Sequence, residues 1–252
     1  MGEDNSFSVS GDIPDNRKVS RTEKEMAVSA GTIIGPYHVR QGVENQDAYY
    51  FLEEGEFTVI AVADGAGSLP KSAIGAQLAS ATAVNETIDA LQDGRSFQQA
   101  IALGIEKARV LLLSREDSHQ IGCTLAVAAM SNTGGWGAGV VGDAFALIST
   151  NIDEHSVIQP KSSAEFANVT KLLTSRDYDP LIESGTEEIV AIVASSDGLT
   201  NTSMVNGKAS QKFWSPIIAR AIDDNMDVQA FLYYMNDNER IYDDTTLVIA
   251  TK

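Results

Sequence analysis

Four short apolar runs in this chain each carry an aspartate at one end. They are 58–64, running into Gly65; 136–143; 189–197, running into Gly198; and 245–250, opened by Asp243 and Asp244. A strand that delivers a carboxylate to its end fixes that oxygen on a rigid element. A following glycine lets the backbone turn sharply and approach a ligand closely. Several such ends meeting at one sheet edge make a cluster of like charges, which is costly unless cations neutralise it. The pattern suggests a metal site built from carboxylates.

Composition narrows the partners. Of 252 residues, 43% are apolar, ample for a sizeable core, and the formal net charge is −17. That charge disfavours nucleic acid, whose phosphates need clustered Lys and Arg, and it disfavours an anionic membrane surface. Most of it reads as solubility, with a handful of carboxylates left for function. Cys123 is the single cysteine, so an internal disulfide and a thiolate metal cluster are both excluded. No run approaches the roughly 18 apolar residues of a membrane helix. The start of the chain lacks the basic-then-apolar layout of a secretory signal. A cytoplasmic monomer is expected.

Residues 1–26 are polar without apolar periodicity and read as a flexible tail; Ser6, Ser20 and Thr22 there are simple solvated hydroxyls or phosphorylation sites. From Ala27 to the C-terminus one domain is expected. Strands are predicted at 28–33 and 47–52, joined by a loop holding His38, Arg40 and Asn45, then at 57–63. Helical spacing over 72–91 sets Ile74, Leu78, Ala81, Ile88 and Leu91 on one stripe. A second helix over 96–113, capped by Ser96, carries Ile101, Ile105, Ala108 and Leu112. The hairpin 123–130 and 136–148 turns at 132–135. Another turn at 150–155 leads into a strand at 156–159. The stretch 164–184 reads as a polar, partly helical insert. A strand at 188–195, helices at 213–222 and 228–235, and a strand at 244–251 follow. Strands and helices so segregated favour an α+β fold over a doubly wound sheet: two antiparallel sheets face to face, flanked by helices.

Asp64 leads the candidate ligands, because the apolar run before it makes Asp-Gly-Ala-Gly an unusual surface loop. Its plain alternative is a turn aspartate capping the next helix. Asp197-Gly198 repeats the arrangement. Asp243 and Asp244 point to opposite sides of a strand, so one ligates while the other faces a loop or solvent. Asp143 could equally be a hydrogen-bonded edge residue, and Asp47 a strand-leading cap. Carboxylate oxygens suit hard cations such as Mg2+ or Mn2+. Two such ions about 3.5–4 Å apart can hold a hydroxide and a phosphoryl group for in-line displacement without a Cys or His nucleophile.

The string Gly35-Pro36-Tyr37-His38, Gly42 and Asn45-Gln46-Asp47-Ala48 resembles the first motif of the PPM-type, or type 2C, metal-dependent protein serine/threonine phosphatases, most closely their compact bacterial branch. Val62-Ala63-Asp64-Gly65-Ala66-Gly67-Ser68, with Ser72 and Gly75-Ala76, is similar to the second. Gly122-Cys123-Thr124-Leu125, Val141-Gly142-Asp143, Ser196-Asp197-Gly198-Leu199 and Asp243-Asp244-Thr245-Thr246 complete the series in order. The resemblance implies a four-layer α-β-β-α sandwich, two Mg2+ or Mn2+ ions and direct attack by a bridging water on a phosphorylated protein. It implies that Asp64 bridges the ions, that the Gly65 carbonyl binds the second, and that Asp197 and Asp243 complete the first. Asp47 would hold a metal-bound water, and Asp143 with Asp197 a third ion.

Two departures stand out. Gly42 occupies the place where many members carry a phosphate-binding arginine, leaving Arg40 or His38 to meet phosphate. Gln46 replaces a frequent glutamate that orients water, and it can hydrogen-bond that water but supplies no charge. His38 is also a candidate general acid, or simply a loop histidine bonded to backbone. The rival expectation is a catalytically silent pseudophosphatase that binds a phosphoprotein or a regulator.

Overall fold

A computed structural model describes residues 26–160 and 170–252. The expected tail lies outside them apart from Met26, whose sulfur accepts a bond from Thr58 Oγ1 at 3.0 Å. Part of the expected insert, 164–169, also lies outside. Twelve strands among the described residues form two five-stranded antiparallel sheets and one two-stranded hairpin. The first sheet runs β1 (Ala27–Ile33), β12 (Thr245–Thr251), β9 (Ala191–Ser195), β6 (Phe145–Ser149), β7 (His155–Ile158). The second runs β2 (Asp47–Glu54), β3 (Phe57–Asp64), β4 (Leu125–Ser131), β5 (Trp136–Val141), β8 (Leu181–Gly185).

The continuous apolar runs exist because both faces of these strands are buried. Along β3, Val59, Ala61 and Ala63 pack toward helices α2 (Ser72–Gln92) and α3 (Phe97–Leu113), while Ile60 and Val62 face the opposite sheet. Along β12, Val248 and Ala250 face the opposite sheet, and Leu247 and Ile249 pack toward α5 (Gln211–Ile222) and α6 (Val228–Asp237). The layers are therefore α-β-β-α, as expected.

Helix α3 starts at a capping box in which Ser96 and Gln99 satisfy each other's backbone N–H, and its stripe Ile101, Ile105, Ala108 and Leu112 is buried. Helix α2 differs from the expected stripe. Ile74 is 42% exposed, and the buried face is mostly alanine: Ala76, Ala79 and Ala83, then Val84, Ile88 and Leu91. Small side chains let α3 approach closely; a Cβ on Gly104 would sit 2.6 Å from the Ala83 carbonyl oxygen.

Three local expectations are corrected. The loop after β1 contains a short helix, α1 (Pro36–Gln41), closed by Gly42 at φ 66. The expected strand 136–148 breaks at Gly142, φ 88, and its halves β5 and β6 join different sheets. The described part of the insert is not helical: turns around buried Leu173 lead into β8 at the sheet edge. A one-turn helix α4 (Thr200–Ser203), the hairpin β10 (Met204–Val205) and β11 (Lys208–Ala209), and short 3-10 turns at Ser118–Gln120 and Asp197–Leu199 complete the described elements. No described helix is long and apolar enough to cross a membrane.

Candidate metal centre

Antiparallel pairing decides which strand ends meet. β2 starts where β3 ends, and the register sets Asp47 opposite Asp64. Pairing of β3 with β4 and of β4 with β5 brings the end of β5, and Asp143 beyond it, to the same edge. In the other sheet, pairing of β6 with β9 and of β9 with β12 gathers the ends near Asp143, Asp197 and Asp243. Oxygens of Asp64, Asp143 and Asp197 lie within 4.8 Å of one another. Ligand-capable atoms of His38, Asp243 and Asp244 form a second group within the same span.

The electrostatics of this edge are those of carboxylates without an internal partner. Asp47 is 8% exposed, and burial pushes its pKa up to about 7, with help from the charges of Asp244 and Asp197. Hydroxyls of Ser196 and Thr246 nearby pull the other way, yet neither carboxylate oxygen of Asp47 has a well-formed hydrogen bond among the described residues. Asp64 is raised well above the usual carboxylate range by burial, then by Asp47, Asp197 and Asp143. Asp197 is pushed up to about 6 by burial, then by Asp143 and Asp243, which ties the second group to the first. Every charged neighbour that moves these three groups is another carboxylate.

That environment fits divalent cations. Both oxygens of Asp47, Oε1 of Gln46, and the hydroxyls of Ser72 and Thr124 are buried without partners, and burying such groups unpaired is expensive. All are hard oxygen donors, the set preferred by Mg2+ or Mn2+ and their waters.

Glycines bring the backbone in. A Cβ on Gly65 would lie 2.6 Å from the Gln46 carbonyl oxygen and 2.9 Å from Ser72 Cβ, so only glycine allows β3 to turn there. Gly65 N–H donates to that carbonyl at 3.1 Å, and Thr124 N–H donates to the Asp64 carbonyl at 2.8 Å. Gly198 is similarly pressed on Asp244, whose carbonyl oxygen a Cβ would meet at 2.6 Å.

Of the adjacent pair, Asp243 is exposed and Asp244 is the buried one, turned toward the 35–46 loop. His38 sits on α1 with Nδ1 2.9 Å from Asp244 Oδ2, out of line for a well-formed hydrogen bond. Arg40 is exposed in the last turn of α1, with no bond or ion pair among the described residues. Sequence reasoning did not assign a role to Asp244, to Ser196 and Thr246 beside Asp47, or to Thr170, whose hydroxyl donates to Asp143 Oδ2 at 2.6 Å. Only Asp244 carried a signal, as the second member of a charged pair entering a buried strand.

The family model described as protein phosphatase 2C matches residues 34–232. The chain belongs to the protein phosphatase 2C family. No curated protein matches it significantly. Solved structures share the fold at low identity. A C. elegans sex determining protein superposes with TM-score 0.69 at 13% identity, over 92% of this chain and 66% of that one. The catalytic domain of the serine/threonine protein phosphatase PstP, in complex with two manganese ions, gives 0.60 at 16%, over 90% and 97%. RsbX in complex with magnesium gives 0.52 at 14%, over 90% and 94%. A 2C-type domain with a carboxylate cluster of this kind is a metal-dependent phosphatase domain.

Proposed function

We propose that the chain hydrolyses phosphoserine and phosphothreonine on protein substrates with Mn2+ or Mg2+, water attacking phosphorus directly. One observation carries this reading: oxygens of Asp64, Asp143 and Asp197 lie within 4.8 Å of one another, with Asp47 set opposite Asp64 by the β2–β3 register. In this reading Asp64, the Gly65 carbonyl, Asp197, Asp243, Asp47 and Asp143 would together hold the ions. Bound there, the cations supply neutralisation of the phosphoryl oxygens and acidify the attacking water.

The protein's own groups do the rest. Cys123 cannot serve as nucleophile, because its side chain is fully buried and burial beside Asp64 pushes its thiol far up. His38 supplies a proton to the leaving alkoxide, and Arg40 meets the phosphate. The segment around 170–180, through Thr170 and Asp143, shapes access to the edge. The chain acts as a cytoplasmic monomer, and its −17 charge argues against nucleic-acid and membrane partners.

The test is phosphate release from a phosphothreonine peptide, with manganese and with EDTA. Turnover that needs the metal and vanishes in Asp64→Asn supports the proposal. A second reading, the silent binding module, draws on Gly42. That residue closes α1 in the left-handed region at φ 66, where an arginine would be strained. No turnover above Asp64→Asn by manganese-loaded protein would favour it.

A further inference from the structure

Large apolar side chains left outside a fold need a reason when they gather in one place. Tyr37, Val39, Tyr233 and Tyr242 are each more than half exposed, and the backbone brings all four toward the carboxylate edge. Tyr37 and Val39 stand on α1, whose start is pressed on the entry to β12: a Cβ on Gly35 would lie 2.6 Å from Asp243 Cα. Tyr242 directly precedes Asp243. Tyr233 arrives on α6. Ser29 Oγ donates to the Met226 carbonyl at 2.8 Å and accepts from Val228 N–H at 3.1 Å. The Gln229 amide then accepts from Thr32 N–H and donates to the Thr32 carbonyl, both at 3.0 Å. Partners that step from Ser29 to Thr32 mean that α6 runs the same way as β1, toward Gly35. Tyr233 follows Gln229 on the same helix face, about 6 Å further in that direction.

The composition of this rim is that of a contact surface. Tyrosine offers a rigid, largely apolar body, and tyrosine dominates the energetics of many interfaces. The rim is continuous with the aspartate edge. An extended peptide advances about 3.4 Å per residue, so a segment with its phosphate at that edge carries the residues on one side of it over the rim. α1 bears no carboxylate that would select a basic flank instead. We propose that Tyr37, Val39, Tyr233 and Tyr242 dock the residues flanking the phosphate, and that the substrate class is a phosphorylated segment with an aromatic or large aliphatic residue within about three positions of the phosphoserine or phosphothreonine. This inference rests on the phosphatase reading above and adds selectivity to it.

The test uses the full-length protein with manganese and matched phosphothreonine peptides. One set carries phenylalanine two residues before or after the phosphothreonine, and the other carries glycine there. Wild-type kcat/KM should favour phenylalanine on one side by about tenfold, mainly through KM. Tyr37→Ala and Tyr242→Ala should each remove most of that preference, whereas Tyr37→Phe and Tyr242→Phe should keep it. Their loss on the phenylalanine peptide should exceed their loss on p-nitrophenyl phosphate, which has no flank, by about fivefold or more. A second measurement needs no turnover: anisotropy of a labelled phenylalanine peptide bearing a non-hydrolysable phosphonate. Tyr242→Ala should weaken its binding by about tenfold. An active wild type with no preference on either side, or variants that lose equally on both peptides, overturns this inference alone. A wild type silent on every substrate that still binds the phosphonate peptide through Tyr242 overturns the phosphatase reading and supports the docking surface. Silence without such binding overturns both. A dimer in sedimentation that Tyr242→Ala dissolves gives the rim to a second copy of the chain and overturns the proposal.

Discussion

Replacing Asp47 with asparagine should stabilise the metal-free protein, and more so as pH rises. Burial lifts the Asp47 pKa from 3.8 to about 7, so the folded chain binds a proton more tightly than the unfolded one. The associated stability is fully present below pH 3.8 and is lost as pH rises through about 7. With about 1.4 kcal/mol per pKa unit, the loss is about 2 kcal/mol at about pH 5 and about 4 kcal/mol at about pH 8. Asparagine does not titrate, so its own packing cost is the same at both pH values and cancels in the comparison. Urea unfolding in EDTA should therefore show the stability difference between Asp47→Asn and wild type moving in the variant's favour by roughly 2–3 kcal/mol between about pH 5 and pH 8. Asp64 is raised partly by the Asp47 charge, so losing that charge also eases Asp64 in the variant and moves the difference in the same direction. Manganese at about a hundred times its dissociation constant should return about 2.7 kcal/mol to the wild type, and much less to the variant. A stability difference that does not change with pH would refute the claim that Asp47 is a buried, unpartnered carboxylate.

Other outcomes follow from the same coordinates. Gly142→Ala places a Cβ 2.6 Å from Thr124 Cγ2 and 2.9 Å from the Lys171 carbonyl oxygen, at φ 88. Its urea midpoint should fall by the equivalent of roughly 2–4 kcal/mol. Trp214→Ala removes a fully buried ring packed edge-on against Phe145 and Phe213, with Nε1 donating to the Ser203 carbonyl at 3.1 Å. The loss should be about 3–5 kcal/mol by calorimetry. Arg109→Ala deletes a guanidinium that lies 4.0 Å above the Tyr178 ring and donates to the Leu173 carbonyl. Hydrogen exchange should quicken across 170–178 by the equivalent of roughly 1–2 kcal/mol, with α3 unchanged.

Much of the architecture could be read from residue order alone. Strands β3, β4, β9 and β12 are nearly unbroken apolar runs because both faces are covered, and α3 announces itself by its stripe and its Ser96 cap. Helix α2 departs from its expected stripe because alanine can sit on either face. Ile74 is exposed because close approach to α3 favours small side chains. The break at Gly142 is also hidden: Val-Val-Gly-Asp-Ala-Phe is apolar on both sides of the Gly142-Asp143 pair, and nothing local says that the two halves serve different sheets.

What the chain order determined by itself is the kind of chemistry: aspartates at the ends of apolar runs, glycines beside them, one lone cysteine and no thiolate cluster. Such features are local, since they follow from which residue ends which apolar run. What only the tertiary structure decided is which carboxylates meet and what each one faces. Asp47 stands opposite Asp64 because of the β2–β3 register. Asp243 is exposed at the edge, while its neighbour Asp244 is buried against Gly35, Gln46 and His38. Alternation along a strand sends neighbouring side chains apart, but only the packing of the two sheets and the 35–46 segment sets which of them is buried.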